Sequence, residues 1–362
     1  MTVTTPKTVP DAPDHKRSLL SRLPIVHQVR QSMGIQRFML VAGLVVTGLF
    51  ILTALFAPLL APYGYSQLRG DDGAFGSQQA PSAEHPFGTT VGGYDVLSRT
   101  IWGAQTALSV VIVAVILSIF VGVFLGLVSG YFGGWLDRVL VVVCDAIYAF
   151  PTLLLAIVMS IAISGGQSSL WGGVFAAAIS ITVVFIPQYF RVIRAETVRI
   201  KSEAYVESAK VVGASNARII FRHVLRNATR TLPLIFTLNA SEAILTLAGL
   251  GFLGFGIEPT SAAEWGFDLN KAIVDVSSGV WWTALPPGIA IVLAVLGVTL
   301  VGESLNDLAD PRLRGRRRVA AASGTVAATS VVPGGVQTAG PAGLGGLESG
   351  ETFGDDGIET RP

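Results

Sequence analysis

Two acidic residues, Asp145 and Glu242, lie inside long apolar stretches of the sequence, and Asn239 precedes Glu242 by about one helical turn. A carboxylate within a lipid bilayer costs about 3 kcal/mol or more unless it faces water or a partner group. Two interpretations therefore stay open. The acids either line a polar path through a membrane, or they cap helices and pair across them to stabilise packing.

Other residues that could do chemistry are few. The single cysteine, Cys144, excludes an internal disulfide and a cysteine-rich metal site, and its apolar surroundings favour a buried, inert thiol. The sequence contains neither an H-E-x-x-H metalloprotease signature nor a G-x-x-x-x-G-K-[ST] phosphate loop. We therefore expect this chain to hold no metal, no cofactor and no catalytic site.

The composition requires a membrane. Of 362 residues, 51% are hydrophobic and 14% are charged, and the mean hydropathy is +0.60. Soluble domains carry about 25% charged residues, so this chain has too little polar surface to cover itself in water. The net charge of +1 indicates no acidic partner, so the distribution of the charges is more informative than their sum.

Six charge-poor segments predict six transmembrane helices in an all-α membrane protein. A bilayer is crossed by ~20 apolar residues in a helix. The first segment is too long for a removed signal peptide and lacks its cleavage pattern. The segments are 38–60, 106–130, 139–163, 170–190, 232–255 and 284–302.

Lysine and arginine concentrate before the first span, in 191–231 and after the sixth span, whereas the loops after the first span and before the sixth carry more acids than bases. Because cytoplasmic loops retain positive charge, this asymmetry predicts that both termini and the loop 191–231 are cytoplasmic. The last tail is rich in Gly, Ala, Thr and Pro, which predicts disorder. The predicted divisions are a cytoplasmic tail (1–37), the first transmembrane helix (38–62), an extracytoplasmic segment (63–104), a transmembrane domain (105–316) and a disordered tail (317–362).

The cytoplasmic loop has the pattern of two short amphipathic helices. Gly213 offers a left-handed helix stop, and Ser215 offers a new N-cap. Small residues permit close approach of a soluble partner with a groove. Alternatives are a DNA-binding helix-turn-helix, which we disfavour between two membrane helices, and a connector that lies on anionic lipid. The expected apolar faces are Tyr205, Ala209 and Val212 in the first helix, and Ala217, Ile220, Phe221 and Val224 in the second.

The stretch "ESAKVVGASNARIIFRHVLRNA" resembles the EAA loop of ABC-importer permeases. Glu207, Ala209 and Gly213 match its first half, whereas Ser208 replaces the middle Ala and Arg226 stands where Pro is usual. In that family the loop docks on the cytoplasmic ATPase subunit. The resemblance implies an ATPase-coupling role for Glu203, Ala204, Glu207, Ala209, Gly213, Ala214, Arg222 and His223.

Further motifs resemble the dipeptide/oligopeptide/nickel permeases, in the second of their two permease types. They are "HPFGTTVGGYDVLSRTIWGAQTALSV", "GYFGGWLDRVLVVVCDAIYAFPTLLLAI", "LGFLGFGIEPTSAAEWG" and "GESLNDLADPRLRG". Thr90, Tyr94 and Val142 depart from the usual residues. The resemblance covers about Phe38 to Arg316 and implies a type I ABC importer transmembrane domain with six transmembrane helices.

This resemblance implies a permease subunit that imports di- or oligopeptides across the bacterial cytoplasmic membrane by alternating access. The implied partners are a second homologous permease, two cytoplasmic ATPase subunits, an extracytoplasmic substrate-binding protein and membrane lipid, but no nucleic acid. ATP and Mg are expected on the ATPase subunits. Asp145, Asn239 and Glu242 are the candidate residues of the translocation path. We expect at least one of the two acids to face that path near Asn239, where a peptide's ammonium group could pass, and pairing across helices is favoured for Asp145. Nickel or another small solute, an ion-coupled secondary transporter and a membrane-anchored scaffold stay open as alternatives.

Overall fold

Helices dominate this chain, whose computed structural model describes residues 35–71, 73–164 and 170–309. The predicted tails lie outside the described residues apart from 35–37. The α-helices are α1 (Ile35–Leu55), α2 (Ala57–Leu60), α3 (Val96–Phe132), α4 (Gly134–Ala149), α5 (Thr152–Ser164), α6 (Leu170–Lys201), α7 (Ala204–Val211), α8 (Asn216–Ile219), α9 (Leu225–Ala228), α10 (Leu232–Phe252), α11 (Trp265–Ser277) and α12 (Leu285–Ala309).

Shorter elements connect these helices. A π-helix at Ile220–Val224 joins α8 to α9, and 3-10 turns at Thr229–Thr231 and Trp281–Thr283 precede α10 and α12. The strands β1 (Arg69–Gly70) and β2 (Gly73–Ala74) pair antiparallel, with Arg69 opposite Ala74.

Five segments of the described chain are long and apolar enough to cross a membrane, and α4 with α5 makes a sixth if the bent pair counts as one crossing. The five include α1, α3, α6, α10 and α12. On that count, the predicted six-crossing, all-α architecture is confirmed.

The third predicted crossing, 139–163, whose apolar run is interrupted by Asp145 and Pro151, is not one straight helix. The axes of α4 and α5 meet at 101°. Pro151 has no N–H and disfavours the helical conformation at the residue before it. Phe150 accordingly has an extended backbone (φ −80°, ψ 140°), and α4 ends there.

Other helix bounds also differ from the hydropathy pattern. Helix α3 begins at Val96, inside the predicted extracytoplasmic segment, because Asp95 Oδ2 accepts a hydrogen bond from Ser98 N at 2.7 Å and caps the helix. Helix α6 continues to Lys201, so residues 191–201, which we assigned to the cytoplasmic loop, belong to a membrane helix. Hydropathy indicates the apolar part of a helix rather than its end.

Small residues let the central helices approach closely. Gly122, Gly126 and Gly130 recur every fourth residue of α3, and all three face α6. A Cβ atom at Gly126 would lie 2.8 Å from the Phe190 carbonyl oxygen, so only glycine fits at this crossing. Such small-residue stripes are the usual basis of close helix packing in membranes. Helix α6 is thereby fixed along α3. It contributes residues to a cavity and to the apolar cluster that anchors the segment after α6, both described below.

Buried polar groups order the region between α1 and α3. His85 is buried, and its Nδ1 lies 2.9 Å from Asp95 Oδ1. Arg99, also buried, donates through Nε to both carboxylate oxygens of Asp268 at 2.8 and 3.0 Å. These contacts bind the start of α3 to the preceding segment and to α11.

Candidate functional site

Residues 202–231 form a projection between α6 and α10, which we call the coupling segment. Its turn follows the sequence prediction. Gly213 has φ +85°, a left-handed conformation that favours glycine, and its N–H donates to Lys210 O at 2.9 Å. Ser215 is the N-cap of α8, and its side chain accepts from Arg218 N at 3.4 Å. The predicted turn at Gly213 and the N-cap at Ser215 are confirmed, whereas the ATPase-coupling role stays a prediction.

Apolar anchors fix the coupling segment to the membrane helices. Val206, Ile219 and Val224 are fully buried, in one cluster with Leu127 of α3 and Ile200 of α6. The coupling segment is therefore packed directly against the C-terminal parts of α3 and α6.

The predicted apolar faces of the coupling segment were partly wrong. Phe221 is 67% exposed, and Val212 is 88% exposed, as is its neighbour Val211. In the second helix the cause is the π-helix Ile220–Val224, whose i→i+5 spacing brings Ile219 and Val224 onto one buried face and leaves Phe221 outside. The tip of the projection therefore presents Val211, Val212 and Phe221 to a partner or to lipid.

Polar contacts complete the anchoring. Tyr131, at the end of α3, donates its hydroxyl to Asn216 Oδ1 at 2.8 Å, and its carbonyl accepts from Lys201 Nζ. Asn227 Nδ2 bonds to the Tyr205 hydroxyl at 3.1 Å. Tyr205 was expected on an apolar face, and the polar contacts of these residues were not predicted from the sequence. Only the position of Tyr131 just before the Gly133–Gly134 pair could have indicated its role.

The predicted coupling residues do not share one environment. Glu203, Ala204, Glu207, Gly213 and Arg222 are exposed, while Ala209, Ala214 and His223 are half-buried. The His223 ring lies 6.2 Å from the Tyr205 ring, between centroids, within the coupling segment. The exposed members remain available for a partner, whereas the half-buried members support the turn and the helix contacts.

A cavity of about 410 Å³, lined by both polar and apolar side chains, lies between α4, α6 and α10. It brings together Asn239 and Glu242, which we predicted, with three polar side chains that we did not. The lining residues are Tyr148, Gln188, Arg191, Val192, Ile235, Leu238, Asn239 and Glu242.

Arg191 connects the cavity to the second predicted acid, Asp145. Its Nη2 donates to Asp145 Oδ1 at 2.9 Å, and its guanidinium carbon lies 4.1 Å from the centre of the Tyr148 ring. The side chains of Arg191 and Asp145 are 43% and 56% exposed, so in water the pair contributes about 1 kcal/mol or less. Asp145 thus pairs across helices, at the edge of the cavity.

The other polar groups of the cavity lack good partners within the described chain. Glu242 is half-buried, and no described residue forms an ion pair or hydrogen bond with its carboxylate. Asn239 is 2% exposed, and its Nδ2 faces the Tyr189 hydroxyl without a well-formed hydrogen bond among described residues. Such groups are costly in a membrane protein unless they meet water or a ligand.

A second polar cluster lies at the start of α11, outside the membrane-spanning helices. Buried Glu264 accepts hydrogen bonds from Gly266 N at 2.8 Å and Phe267 N at 2.7 Å. Burial raises the pKa of Glu264 to about 8, against the lowering effect of these two bonds. Burial also raises the pKa of Asp268, although Arg99 opposes that shift. This cluster positions α11 and does not join the cavity.

This geometry defines an integral membrane protein with a cavity between its helices, lined in part by charged side chains, and an anchored projection at one end. Residues 122–315 match the family described as "Binding-protein-dependent transport system inner membrane component". Residues 37–81 match the "N-terminal TM domain of oligopeptide transport permease C". The chain belongs to this family of inner-membrane ABC importer permeases, in its dipeptide/oligopeptide/nickel group, which confirms the resemblance.

Individual relatives agree with this family assignment. A dipeptide transport system permease protein of Alkalihalophilus pseudofirmus is 37% identical over 274 residues, which cover 76% of this chain and 86% of the relative. Glutathione transport system permease proteins of Shigella boydii and Escherichia coli O157:H7 are each 33% identical over 309 residues, covering 83% of this chain and 98% of the relative.

Proposed function

We propose that this chain moves di- or oligopeptides into the cell, as the permease subunit of an importer powered by separate ATPase subunits. Membership of the family makes it a permease of a binding-protein-dependent ABC importer. The substrate class rests on the relatives, named for a dipeptide and for glutathione, both short peptides. The cavity, which carries both a carboxylate and a guanidinium, suits substrates with charges of both signs.

The observation that carries the coupling part of the proposal is the course of α6. This helix contributes Gln188 and Arg191 to the cavity and then continues without a break to Lys201, beside the coupling segment. A force applied to the coupling segment would therefore reach the cavity through one helix.

The proposed docking surface is the exposed tip of the coupling segment together with its exposed cations. Val211, Val212 and Phe221 supply an apolar contact, and Arg222 supplies charge beside it. In this proposal the coupling segment and both termini face the cytoplasm, where ATP and Mg are bound by two ATPase subunits. An extracytoplasmic binding protein delivers the peptide on the opposite side.

The cavity is proposed as this chain's part of the translocation path. An exposed Arg191–Asp145 pair, and a Glu242 carboxylate that has no partner among the described residues, cannot face lipid without a large cost. They would face a water-filled path instead, completed by a second homologous permease.

The test is uptake by proteoliposomes that contain this chain with its second permease, ATPases and binding protein. We expect uptake of dialanine that requires ATP and is lost when the phosphate-loop lysine of the ATPase is replaced. Collapse of the proton gradient should leave uptake unchanged.

Loss of uptake on collapse of the gradient alone would instead identify an ion-coupled carrier. ATP-dependent uptake of nickel without uptake of peptide would leave the importer class intact and refute the peptide substrate. Binding of the ATPase without uptake of any solute would identify a scaffold.

A further inference from the structure

The cavity between α4, α6 and α10 holds a carboxylate that the described part of the chain leaves without a partner. Glu242 lines the cavity and is half-buried, yet no described side chain offers it a cation or a hydrogen-bond donor. A carboxylate accepts hydrogen bonds only, and its strongest partner is a cationic N–H group. The partner that Glu242 lacks among the described residues is therefore a cationic N–H donor, such as an ammonium group.

Two amides lie in the same cavity as Glu242. Asn239 is on α10 like Glu242, three residues before it, and Gln188 enters from α6. The Asn239 side chain is almost fully buried, but its Nδ2 lacks a well-formed bond within the described residues, and the Gln188 amide has no partner there either. Amide N–H groups donate to carbonyl oxygens. These side chains match a peptide group more closely than a bare ion.

Arg191 supplies the opposite charge. Its present partner, Asp145, is reached by a single contact at 2.9 Å, and both side chains are largely open to solvent. A guanidinium can bind a carboxylate through two parallel N–H groups, whereas Arg191 donates to Asp145 only through Nη2. Another carboxylate that reaches the cavity can therefore compete with Asp145 for this guanidinium.

We propose that the cavity binds a peptide in transit by its two charged ends, an inference that rests on the proposed function. The terminal ammonium donates to Glu242, the terminal carboxylate accepts from Arg191 in place of Asp145, and a peptide carbonyl accepts from Asn239. The volume of about 410 Å³ lies in the range of about 300–1,000 Å³ typical of small-molecule sites.

This mode of binding has a consequence for specificity. All its polar contacts go to groups that every short peptide carries, so the identity of the side chains matters little. A peptide whose ends are blocked loses one charged contact at each blocked end. The site thus selects free termini rather than a particular sequence.

The binding can be tested without the binding protein, by protection of a cysteine. Leu238 lines the cavity and is 47% exposed, and it is not one of the proposed ligands. In the assembled permease–ATPase complex in nanodiscs, without ATP, a Leu238→Cys variant would be treated with a neutral, polar maleimide. The same complex without this substitution measures the background from Cys144 and from the partner subunits.

We expect dialanine to slow the modification, and N-acetyl-dialanine and dialanine amide to protect much less. Glu242→Gln should raise the dialanine concentration for half-protection about tenfold, the loss expected for one charge-assisted hydrogen bond. It should also abolish the difference between dialanine and N-acetyl-dialanine. Arg191→Gln should abolish the difference between dialanine and its amide. Glu303→Gln, an isosteric change at an exposed residue of α12, should leave protection unchanged.

Three results would overturn the inference alone, and a fourth would overturn the proposed function with it. One is equal protection by free and blocked peptides. The second is full protection in the Glu242→Gln variant. The third is an absence of protection in a complex that does import dialanine with ATP and binding protein, which refutes this site but leaves the proposed function standing. A complex that imports some other solute but no peptide would refute both this inference and the proposed peptide transport.

Discussion

Arg194 of α6 donates two hydrogen bonds to the carboxylate of Asp137, in the first turn of α4. Its Nη2 lies 2.7 Å from one carboxylate oxygen, and its Nε donates to the other. Ser129, near the end of α3, donates to the same carboxylate. Asp137 therefore joins three helices where the chain leaves α3. This two-pronged contact differs from the single, exposed contact between Arg191 and Asp145 further along α6.

The difference between the two pairs predicts different costs of mutation. Because the Asp137–Arg194 pair is partly buried and bidentate, Asp137→Asn or Arg194→Gln should destabilise the protein by about 1–3 kcal/mol. The double variant should cost little more than the worse single variant. Thermal unfolding of the purified protein in detergent measures these shifts. Asp145→Asn is the matched control, with a shift near zero, and strictly additive effects at Asp137 and Arg194 would contradict a direct coupling.

Local signals in the sequence were sufficient for part of this structure. Gly213 and Ser215 were predicted correctly because a left-handed turn and an N-cap depend on the neighbouring residues alone. The outward position of Phe221 was not predicted, since the π-helix breaks the 3.6-residue period on which the apolar face was drawn.

The cavity, too, could be predicted only where local sequence signals were sufficient. Asn239 and Glu242 could be paired from the sequence because they lie one turn apart on one helix. Arg191 was assigned to a loop because hydropathy falls at the first cation, although α6 continues for ten further residues, from Arg191 to Lys201. Tyr148 and Gln188 gave no signal, because only the bend at Pro151 and the packing of α4 on α6 bring them to Glu242.

The buried Glu264 predicts a pH dependence of stability. Its pKa of about 8 in the folded protein lies above the ordinary value of 4.5, so the folded state binds more protons than the unfolded state between those values. Stability should therefore fall as pH rises from about 5 to about 8. Melting temperatures measured across this range should decline, and the decline should be smaller in Glu264→Gln. A variant with the same slope as the parent would show that another group titrates.

The proposed orientation can be tested with two exposed positions at opposite ends of the helices. Lys210 lies in the coupling segment, and Val274, on α11, is 71% exposed. An impermeant thiol reagent applied to intact cells should modify Val274→Cys but reach Lys210→Cys only after the membrane is opened. Cys144 is buried and should contribute little background. Modification of Lys210→Cys in intact cells would place the coupling segment outside and refute docking on a cytoplasmic ATPase.

Gly213 allows the coupling role to be separated from backbone strain. Its φ of +85° is costly for a β-branched residue, and no atom of the described residues lies within 4 Å of a Cβ atom there, so Gly213→Val should distort the turn without a clash. We expect normal membrane insertion and assembly, ATP hydrolysis that no longer drives uptake, and a fall in uptake of about tenfold or more, since about 1–3 kcal/mol of strain falls on the docking turn.

Gly279 provides a matched control for this variant. It has the same φ of +85° and equally open surroundings, but it lies between α11 and α12, at the opposite end from the coupling segment. Because Gly279→Val imposes the same local strain far from the proposed ATPase contact, uptake per ATP hydrolysed should stay near that of the parent. If the two variants lose uptake equally, general strain explains the defect. If neither variant loses uptake, the turn at Gly213 does not transmit the motion of the ATPase to α6.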